Sequence, residues 1–159
     1  MNRTFYLVDN NALLALRRER VRSTYFRTHC RVTEDVLREA QGHPDRELLA
    51  SNAYDLTPAV LDGIRTVMKT VEVGDTSLVD LYGNKGTADP GLVASALDAL
   101  AADEGMLFPD AWVIVTNDRA VEAMANEHGV PTMKPACLAT LIDEARAPLV
   151  GVTESDDRG

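Results

Sequence analysis

Two short apolar runs, each followed at once by polar residues and a helical pattern, most constrain the fold of this chain. The first run is FYLV, which leads into Asp9, and the second is WVIV, which leads into Thr116. Short apolar runs bounded by turn signals are typical of buried strands. Strands that alternate with helices form parallel sheets covered by helices. The pattern predicts an α/β fold with a central, mainly parallel β-sheet flanked by helices.

The rest of the chain continues this alternation. Helices are predicted where apolar residues recur at helical spacing after a capping residue. The predicted strands cover residues 4–9, 29–33, 111–116 and 130–133, and the predicted helices cover residues 11–21, 34–40, 46–53, 58–71, 90–102, 118–128 and 136–146. The segment 74–87 contains three glycines and is predicted to be a loop.

The chain has the size and composition of one domain. Its 159 residues, 45% of them hydrophobic, suffice to bury a core, and no repeat or linker divides them. We expect a single domain over residues 1–148 and a disordered acidic tail over residues 149–159. Apolar runs fall well short of the roughly 18 residues of a membrane span. With no signal-peptide pattern, a cytoplasmic protein is expected.

The cysteines and histidines argue against a disulfide framework or a zinc site. Cys30 and Cys137 are far apart without a C-x-x-C spacing, and the three histidines have no metal-ligand spacing. Two buried thiols are therefore expected.

Charge is distributed unevenly along the chain. The net charge of −9 argues against a nucleic-acid partner. Residues 1–40, however, hold eight Lys and Arg against five Asp and Glu, whereas residues 41–159 hold eight against twenty. The basic excess could face a polyanion, an acidic partner chain or solvent. It comprises Arg17, Arg18, Arg20, Arg22, Arg27 and Arg31.

Four acidic residues could bind a ligand, and three of them could instead cap helices. Asp9, Asp89 and Asp118 each precede a predicted helix, so each could be an N-cap. Asp9 also ends a strand, where ligands bind in parallel sheets; if it binds a ligand, capping would fall to Asn10 or Asn11. Glu39 lies inside a helix beside its apolar face, where capping cannot explain it.

Taken together, these acids suggest metal chemistry. Carboxylates that meet in one crevice raise each other's pKa unless a cation neutralises them. Oxygen ligands without Cys or His suit hard ions such as Mg²⁺ or Mn²⁺. Such an ion activates water and offsets developing charge during phosphodiester hydrolysis. The grouping predicts a metal-dependent reaction at a phosphate ester.

Four segments also follow one another in a familiar order. They are VDNNALL, VTEDVLREA, GTADPGLVASAL and VIVTNDRAVEAMANEHGV. This order, over about residues 4–146, resembles that of PIN domains, a family of metal-dependent ribonucleases that includes VapC-type toxins. The resemblance implies a three-layer fold around a parallel sheet. It also implies hydrolysis of single-stranded or looped RNA, leaving a 5′-phosphate and a 3′-hydroxyl.

The resemblance implies roles for two groups of residues. The catalytic acids, which would bind one or two Mg²⁺ or Mn²⁺ ions, are Asp9, Glu39, Asp89 and Asp118. The supporting polar residues are Asn11, Thr116 and Asn117. Position in the chain adds weaker candidates for RNA contact, which are Arg17, Arg18, Lys85 and Arg119.

Several functional readings stay open at this point. A toxin would have an antitoxin protein as partner, a processing enzyme would not, and a homodimer through residues 46–71 is expected by analogy. A non-catalytic PIN-like scaffold could bind RNA or protein. A receiver-type or phosphatase-like domain would also gather aspartates at a strand edge. It is disfavoured because no lysine is recognised at the end of a late strand and no D-x-D follows the first strand.

Overall fold

A parallel four-stranded sheet lies between two layers of helices. The computed structural model describes residues 2–70 and 90–147. Its strands are β1 (Thr4–Val8), β2 (Cys30–Arg31), β3 (Ala111–Val115) and β4 (Thr132–Met133). They are all parallel, in the order β2-β1-β3-β4. The predicted α/β fold with a parallel sheet flanked by helices is confirmed.

Helices connect the strands and cover both faces of the sheet. They are α1 (Asn10–Val21), α2 (Thr24–His29), α3 (Glu34–Glu39), α4 (Arg46–Ser51), α5 (Pro58–Met68), α6 (Pro90–Ala102), α7 (Arg119–Glu127) and α8 (Pro135–Arg146). All seven predicted helices are present, with ends that differ by up to three residues. The predicted loop over residues 74–87 and the predicted tail over residues 149–159 lie outside the described residues.

The largest departure from prediction lies before β2, where α2 forms although no helix was predicted there. Ser23 accepts a hydrogen bond from the backbone N of Phe26 at 3.1 Å, and Phe26 is fully buried. A cap and one core aromatic residue thus form a helix too short to show apolar periodicity. The predicted strand 29–33 shortens to two residues, extended by a bridge between Val32 and Ala53.

Side chains on the two faces of the sheet enter two separate apolar clusters. On β1, Tyr6 and Val8 join the first cluster and Leu7 joins the second, as the alternation of a strand requires. The first cluster includes core residues of α1, α2, α4 and α8, and the second those of α5, α6 and α7. Residues two positions apart on a strand therefore face the same helical layer.

Helix α6 runs antiparallel to the strands. Val93 near its start belongs to the same apolar cluster as Leu7 and Ile114, which lie towards the carboxyl ends of their strands. Asp98, farther along, accepts a hydrogen bond from Tyr54 Oη at 2.7 Å and lines a cavity with Trp112 near the start of β3. The helix therefore begins towards the edge formed by the carboxyl ends of the strands, which we name the carboxyl edge.

Aromatic side chains dominate the opposite edge, which we name the amino edge. The Phe5 ring stacks on Trp112 with centroids 4.9 Å apart, and Tyr54 meets Trp112 edge-on at 5.5 Å. The Arg31 guanidinium lies 5.2 Å from the centre of the Phe5 ring. These four residues line a cavity of about 360 Å³. The loop that leads into β3 adds three exposed apolar residues, Met106, Leu107 and Phe108.

Helix α1 breaks at Arg17. This residue has φ 63° and ψ 159°, a conformation that residues other than glycine rarely adopt. Leu16 and Val21 are five positions apart, about 140° around a continuous helix, yet both are fully buried. The break lies where the buried face of the helix changes.

Two smaller predictions have different outcomes. Cys30 is buried as expected, but Cys137 is exposed, because α8 turns Leu138 and Ile142 to the core and Cys137 to solvent. The expectation of two buried thiols is therefore wrong for Cys137.

Within residues 2–70 and 90–147, none of the helices has both the length and the apolar character to cross a membrane.

Candidate functional site

At the carboxyl edge, each strand of the sheet leads within two residues to a polar residue. Asp9 follows β1 and Thr116 follows β3, in line with the pairing of Val8 with Val115. The other two positions follow from the register of β2 and β4 in the same way. We name this set the polar row, and its members in spatial order are Thr33, Asp9, Thr116 and Lys134.

The backbone hydrogen bonds between the strands continue to Asp9 and Thr116 in the polar row. The N–H of Asp9 donates to the carbonyl of Val115 at 3.2 Å, and the N–H of Thr116 donates to the carbonyl of Met133 at 3.0 Å. Asp9 lies two residues after Leu7, so it faces the layer of α5, α6 and α7. The strand order also reverses at β1, which makes this edge a topological switch point.

Asp9 is both a helix cap and a member of the row. Its Oδ1 accepts a hydrogen bond from the N–H of Ala12 at 2.7 Å, which caps α1, and its Oδ2 accepts one from the Thr116 hydroxyl. The residue is only 8% exposed. The interpretation that Asn10 or Asn11 would cap is wrong, because Asn10 is already the first helical residue.

The Thr116 hydroxyl links Asp9 to Asp118. It donates to Asp9 and accepts a hydrogen bond from the N–H of Asp118 at 3.0 Å. Asp118 Oδ1 in turn accepts from the N–H groups of Ala120 and Val121 at 2.8 and 3.4 Å, which caps α7. Both carboxylates thus cap a helix, and the buried Thr116 hydroxyl joins the carboxylate of Asp9 to the backbone of Asp118.

The surroundings of Asp9 make its negative charge costly. Burial raises the pKa of Asp9 most, and the charge of Asp118 raises it further. Hydrogen bonds from Thr116 and Ala12 act in the opposite direction. A cation beside the two carboxylates would offset both unfavourable contributions.

Of the other two predicted acids, only Glu39 lies within the described residues. Glu39 is exposed at the end of α3, a helix whose Val36 is buried. Asp89 lies outside the described residues. Across the part of the chain that the structure describes, no cluster of three or more His, Cys, Asp or Glu could hold a metal ion. Of the four predicted acids, Asp9 and Asp118 come together.

The predicted supporting and RNA-contact residues occupy varied positions. Asn11 and Asn117 are exposed on either side of the row, and Arg17 and Arg119 are exposed as well. Lys85 lies outside the described residues.

Part of the arginine cluster is engaged in ion pairs. Arg18 binds both carboxylate oxygens of Asp45, at 2.9 and 3.1 Å, and Arg20 binds Asp143 at 2.9 and 2.8 Å. The guanidinium groups hold the pKa values of these two carboxyls below their usual range. These pairs fasten α1 to Asp45, the N-cap of α4, and to α8, so Arg18 and Arg20 have structural partners.

Sequence reasoning missed Lys134. The expectation that no lysine ends a late strand is wrong, because Lys134 directly follows β4 and forms an ion pair with Glu122. The predicted strand over residues 130–133 ends where β4 ends, so Lys134 already followed a predicted strand but was not recognised there. The available signal was Pro135, since proline favours the first position of a helix and thereby marks where the strand has stopped.

The donor atoms of the polar row and of Asp118 fit a hard cation. Asp9 and Asp118 provide carboxylate oxygens, Thr116 provides a hydroxyl, and the row contains no thiolate or imidazole. Neither a scan against models of known protein families nor a search of curated proteins finds a match to this chain. The function of the site is therefore inferred from its own chemistry.

Proposed function

We propose that the polar row and Asp118 belong to the metal-dependent catalytic site of a PIN-like ribonuclease that hydrolyses RNA phosphodiester bonds. The observation that carries the proposal is the buried carboxylate of Asp9, held by Thr116 and raised in pKa by burial and by Asp118. Its location at a switch point of a parallel sheet agrees with a ligand site. The reaction class, hydrolysis of RNA, comes from the resemblance of the sequence to PIN domains.

Mg²⁺ or Mn²⁺ would be held by Asp9 and Asp118. Each oxygen of Asp9 accepts one hydrogen bond from the protein, which leaves a second lone pair for a cation. We extend the ligand set to Glu39 and Asp89 on the resemblance alone. A bound ion supplies Lewis acidity, a more acidic water and neutralisation of phosphate charge.

The residues of the chain itself fix the carboxylates and receive the RNA. Thr116 fixes the orientation of Asp9, because its hydroxyl is held from the other side by the N–H of Asp118. The exposed amides of Asn117 and Asn11 can orient a water or a phosphate oxygen. Arg119, the first residue of α7, can contact a flanking phosphate.

Replacing Asp9 tests the proposal directly. We expect Asp9→Asn to lower Mn²⁺-dependent cleavage of single-stranded RNA by a factor on the order of 10³, the loss seen when a key electrostatic group is removed. Asp62→Asn, on the exposed surface of α5, is the matched control and should cleave normally. Cleavage that survives Asp9→Asn, or that is insensitive to EDTA, would contradict the proposal.

The biological setting follows from the same resemblance. We propose a cytoplasmic enzyme that acts either as a toxin with an antitoxin protein as partner or as an RNA-processing enzyme, and that pairs with a second copy of itself. Growth arrest on expression, relieved by Asp9→Asn, would support the toxin. Normal growth with active enzyme would favour RNA processing, and sedimentation of the purified protein reports a dimer.

A non-catalytic PIN-like scaffold is the alternative. Such a scaffold would bind RNA or a protein with equal affinity in Mn²⁺ and in EDTA, and Asp9→Asn would bind as the wild type does. Binding without cleavage under all metal conditions would favour it.

Lys134 also removes one objection to a receiver-type domain, because a lysine does stand at the end of a late strand. The receiver hypothesis and the ribonuclease hypothesis predict different chemistry at Asp9. A receiver would gain one phosphoryl group from acetyl phosphate, visible by mass spectrometry, and lose it in Asp9→Asn. The proposed ribonuclease would remain unmodified and cleave RNA.

A further inference from the structure

We infer that Lys134 binds the RNA backbone at the β4 end of the polar row. The ligand class, a phosphodiester, rests on the proposed function. In this role the Lys134 ammonium contacts a phosphate next to the scissile one, and Glu122 is a positioning residue that holds the lysine side chain. The inference is carried by two observations, the register of β4 and the ion pair with α7.

The register fixes the backbone of Lys134 beside Thr116. Met133 pairs with Val115, and the N–H of Thr116 donates to the carbonyl of Met133 at 3.0 Å. Lys134 itself is extended, with φ −77° and ψ 146°, and Pro135 then begins α8. Adjacent strands lie about 4.8 Å apart, so the Lys134 backbone is about 10 Å, two strand spacings, from that of Asp9.

The ion pair points the lysine side chain towards Asp118. Lys134 Nζ contacts Oε1 of Glu122, and the N–H of Glu122 donates to the carbonyl of Asp118 at 3.0 Å in the first turn of α7. Side chains four positions apart on a helix lie about 6 Å apart. The ammonium is thus held one helical turn from the second carboxylate of the site.

Folding stability alone does not account for an ion pair between Lys134 and Glu122 at this position. The Lys134 side chain is 50% exposed, and ion pairs of this exposure contribute little to folding stability. An ammonium has three donors, so contact with Glu122 leaves donors for a phosphate oxygen. Acids at β1 and the start of α7 with a cation at β4 give the row a metal side and a phosphate side.

The test measures RNA binding as a function of salt, with Ca²⁺ in place of Mn²⁺ so that binding is read separately from cleavage. Loss of one phosphate contact lowers the slope of log affinity against log salt by about 0.7 for a single strand. We expect Lys134→Met to show this decrease and a several-fold loss of affinity. A wild-type slope in Lys134→Met would overturn the inference.

Lys69 offers a matched control. It is exposed beside Thr70, whose hydroxyl contacts the His128 ring at the opposite end of α7 from Asp118. Lys69→Met should keep the wild-type slope. Glu122→Gln separates a structural role from a functional one. If the pair only stabilises the fold, Glu122→Gln and Lys134→Met lower Tm equally and neither changes the slope, which would overturn the inference.

Cleavage assays distinguish failure of this inference from failure of the proposed function. If the wild type cleaves RNA and Lys134→Met has an unchanged KM, the inference fails and the ribonuclease stands. If the wild type binds RNA with a slope that depends on Lys134 but never cleaves, the ribonuclease fails and the phosphate contact stands. Absence of RNA binding would overturn both.

Discussion

The two edges of the sheet, built on the same strands, differ in what their side chains do. At the carboxyl edge, Asp9, Thr116 and Asp118 form a short chain of hydrogen bonds around a buried carboxyl group whose pKa is raised by burial. At the amino edge, Phe5 and Trp112 stack face to face and fill the space with apolar area. The carboxyl edge holds buried polar groups, which oppose folding, whereas the amino edge buries apolar surface, which stabilises the fold.

The comparison separates the part of the sheet that contributes stability from the part to which the proposed function is assigned. Stacked aromatic rings contribute favourable energy beyond the area they bury. A buried carboxylate next to another carboxylate opposes folding unless a cation or hydrogen bonds offset it. A fold selected for stability alone would have no reason to place the buried Asp9 near a second carboxylate. Substitutions at the two edges should therefore affect different measurements.

The largest effect is expected at Thr116, the residue that holds the carboxyl edge together. Thr116→Val keeps the shape but leaves Asp9 Oδ2 and the N–H of Asp118 without their partner, so we expect a loss of about 3 kcal/mol in unfolding free energy. Thr116→Ser, which keeps the hydroxyl, should lose about 1 kcal/mol for one methyl group. Urea denaturation measures both, and equal losses would show that the hydroxyl is unimportant.

Asp9→Asn should stabilise the metal-free fold while it removes activity. Asparagine can still cap α1, and it removes a buried charge, so a gain of about 1.5 kcal/mol at pH 7 without divalent ions is expected. Mn²⁺ should raise the Tm of the wild type and leave that of Asp9→Asn unchanged.

The pH dependence of this difference follows from the raised pKa of Asp9. The stability contributed by protonated Asp9 is complete below the ordinary carboxyl value of 3.8 and is lost as pH rises through the raised folded-state pKa. The advantage of Asp9→Asn should therefore grow with pH above 3.8. Carboxyls with lowered pKa, such as Asp143, are present in both proteins and cancel. An advantage that shrinks with rising pH would refute the assignment.

At the amino edge, Tyr54→Phe should reduce stability and nothing else. It removes the 2.7 Å hydrogen bond to Asp98 but keeps the ring that packs against Trp112, so the expected loss is about 1 kcal/mol. Mn²⁺ binding and RNA cleavage should match the wild type. A loss of cleavage in well-folded Tyr54→Phe would break the separation between the edges.

The smallest effect is expected at the exposed loop before β3. Leu107 is 86% exposed, so Leu107→Ser should change unfolding free energy by less than about 0.5 kcal/mol. Thermal unfolding and the cleavage assay measured together should show no change. A larger destabilisation would mean that this loop packs against another molecule in solution.

Strong local signals made much of this fold predictable. The run WVIV predicts β3, and Pro90 with its following apolar positions predicts both ends of α6. Helix α2, both ends of β2 and the start of β4 were missed, because six or two residues carry no readable period and their shape depends on distant contacts such as those of Phe26.

The site was predictable in part for the same reason. Asp9 and Asp118 adjoin strongly apolar strands, so their positions followed from the chain order. The role of Thr116 as the link between them requires the register of β1 against β3, which no local pattern contains. The ion pair of Lys134 with Glu122 likewise depends on how α7 packs against β4. Both the link through Thr116 and the ion pair of Lys134 therefore depend on contacts between elements that are distant in the chain.

The alignment of the polar row has a consequence for how this chain can change in length. Because strand residues alternate between faces, deleting one residue inside Thr4–Val8 would turn Asp9 towards α1 and away from Thr116. A residue added to the exposed loop before β3 leaves the register of the sheet untouched. Insertions and deletions should therefore be tolerated in that loop and be destructive within β1 and β3.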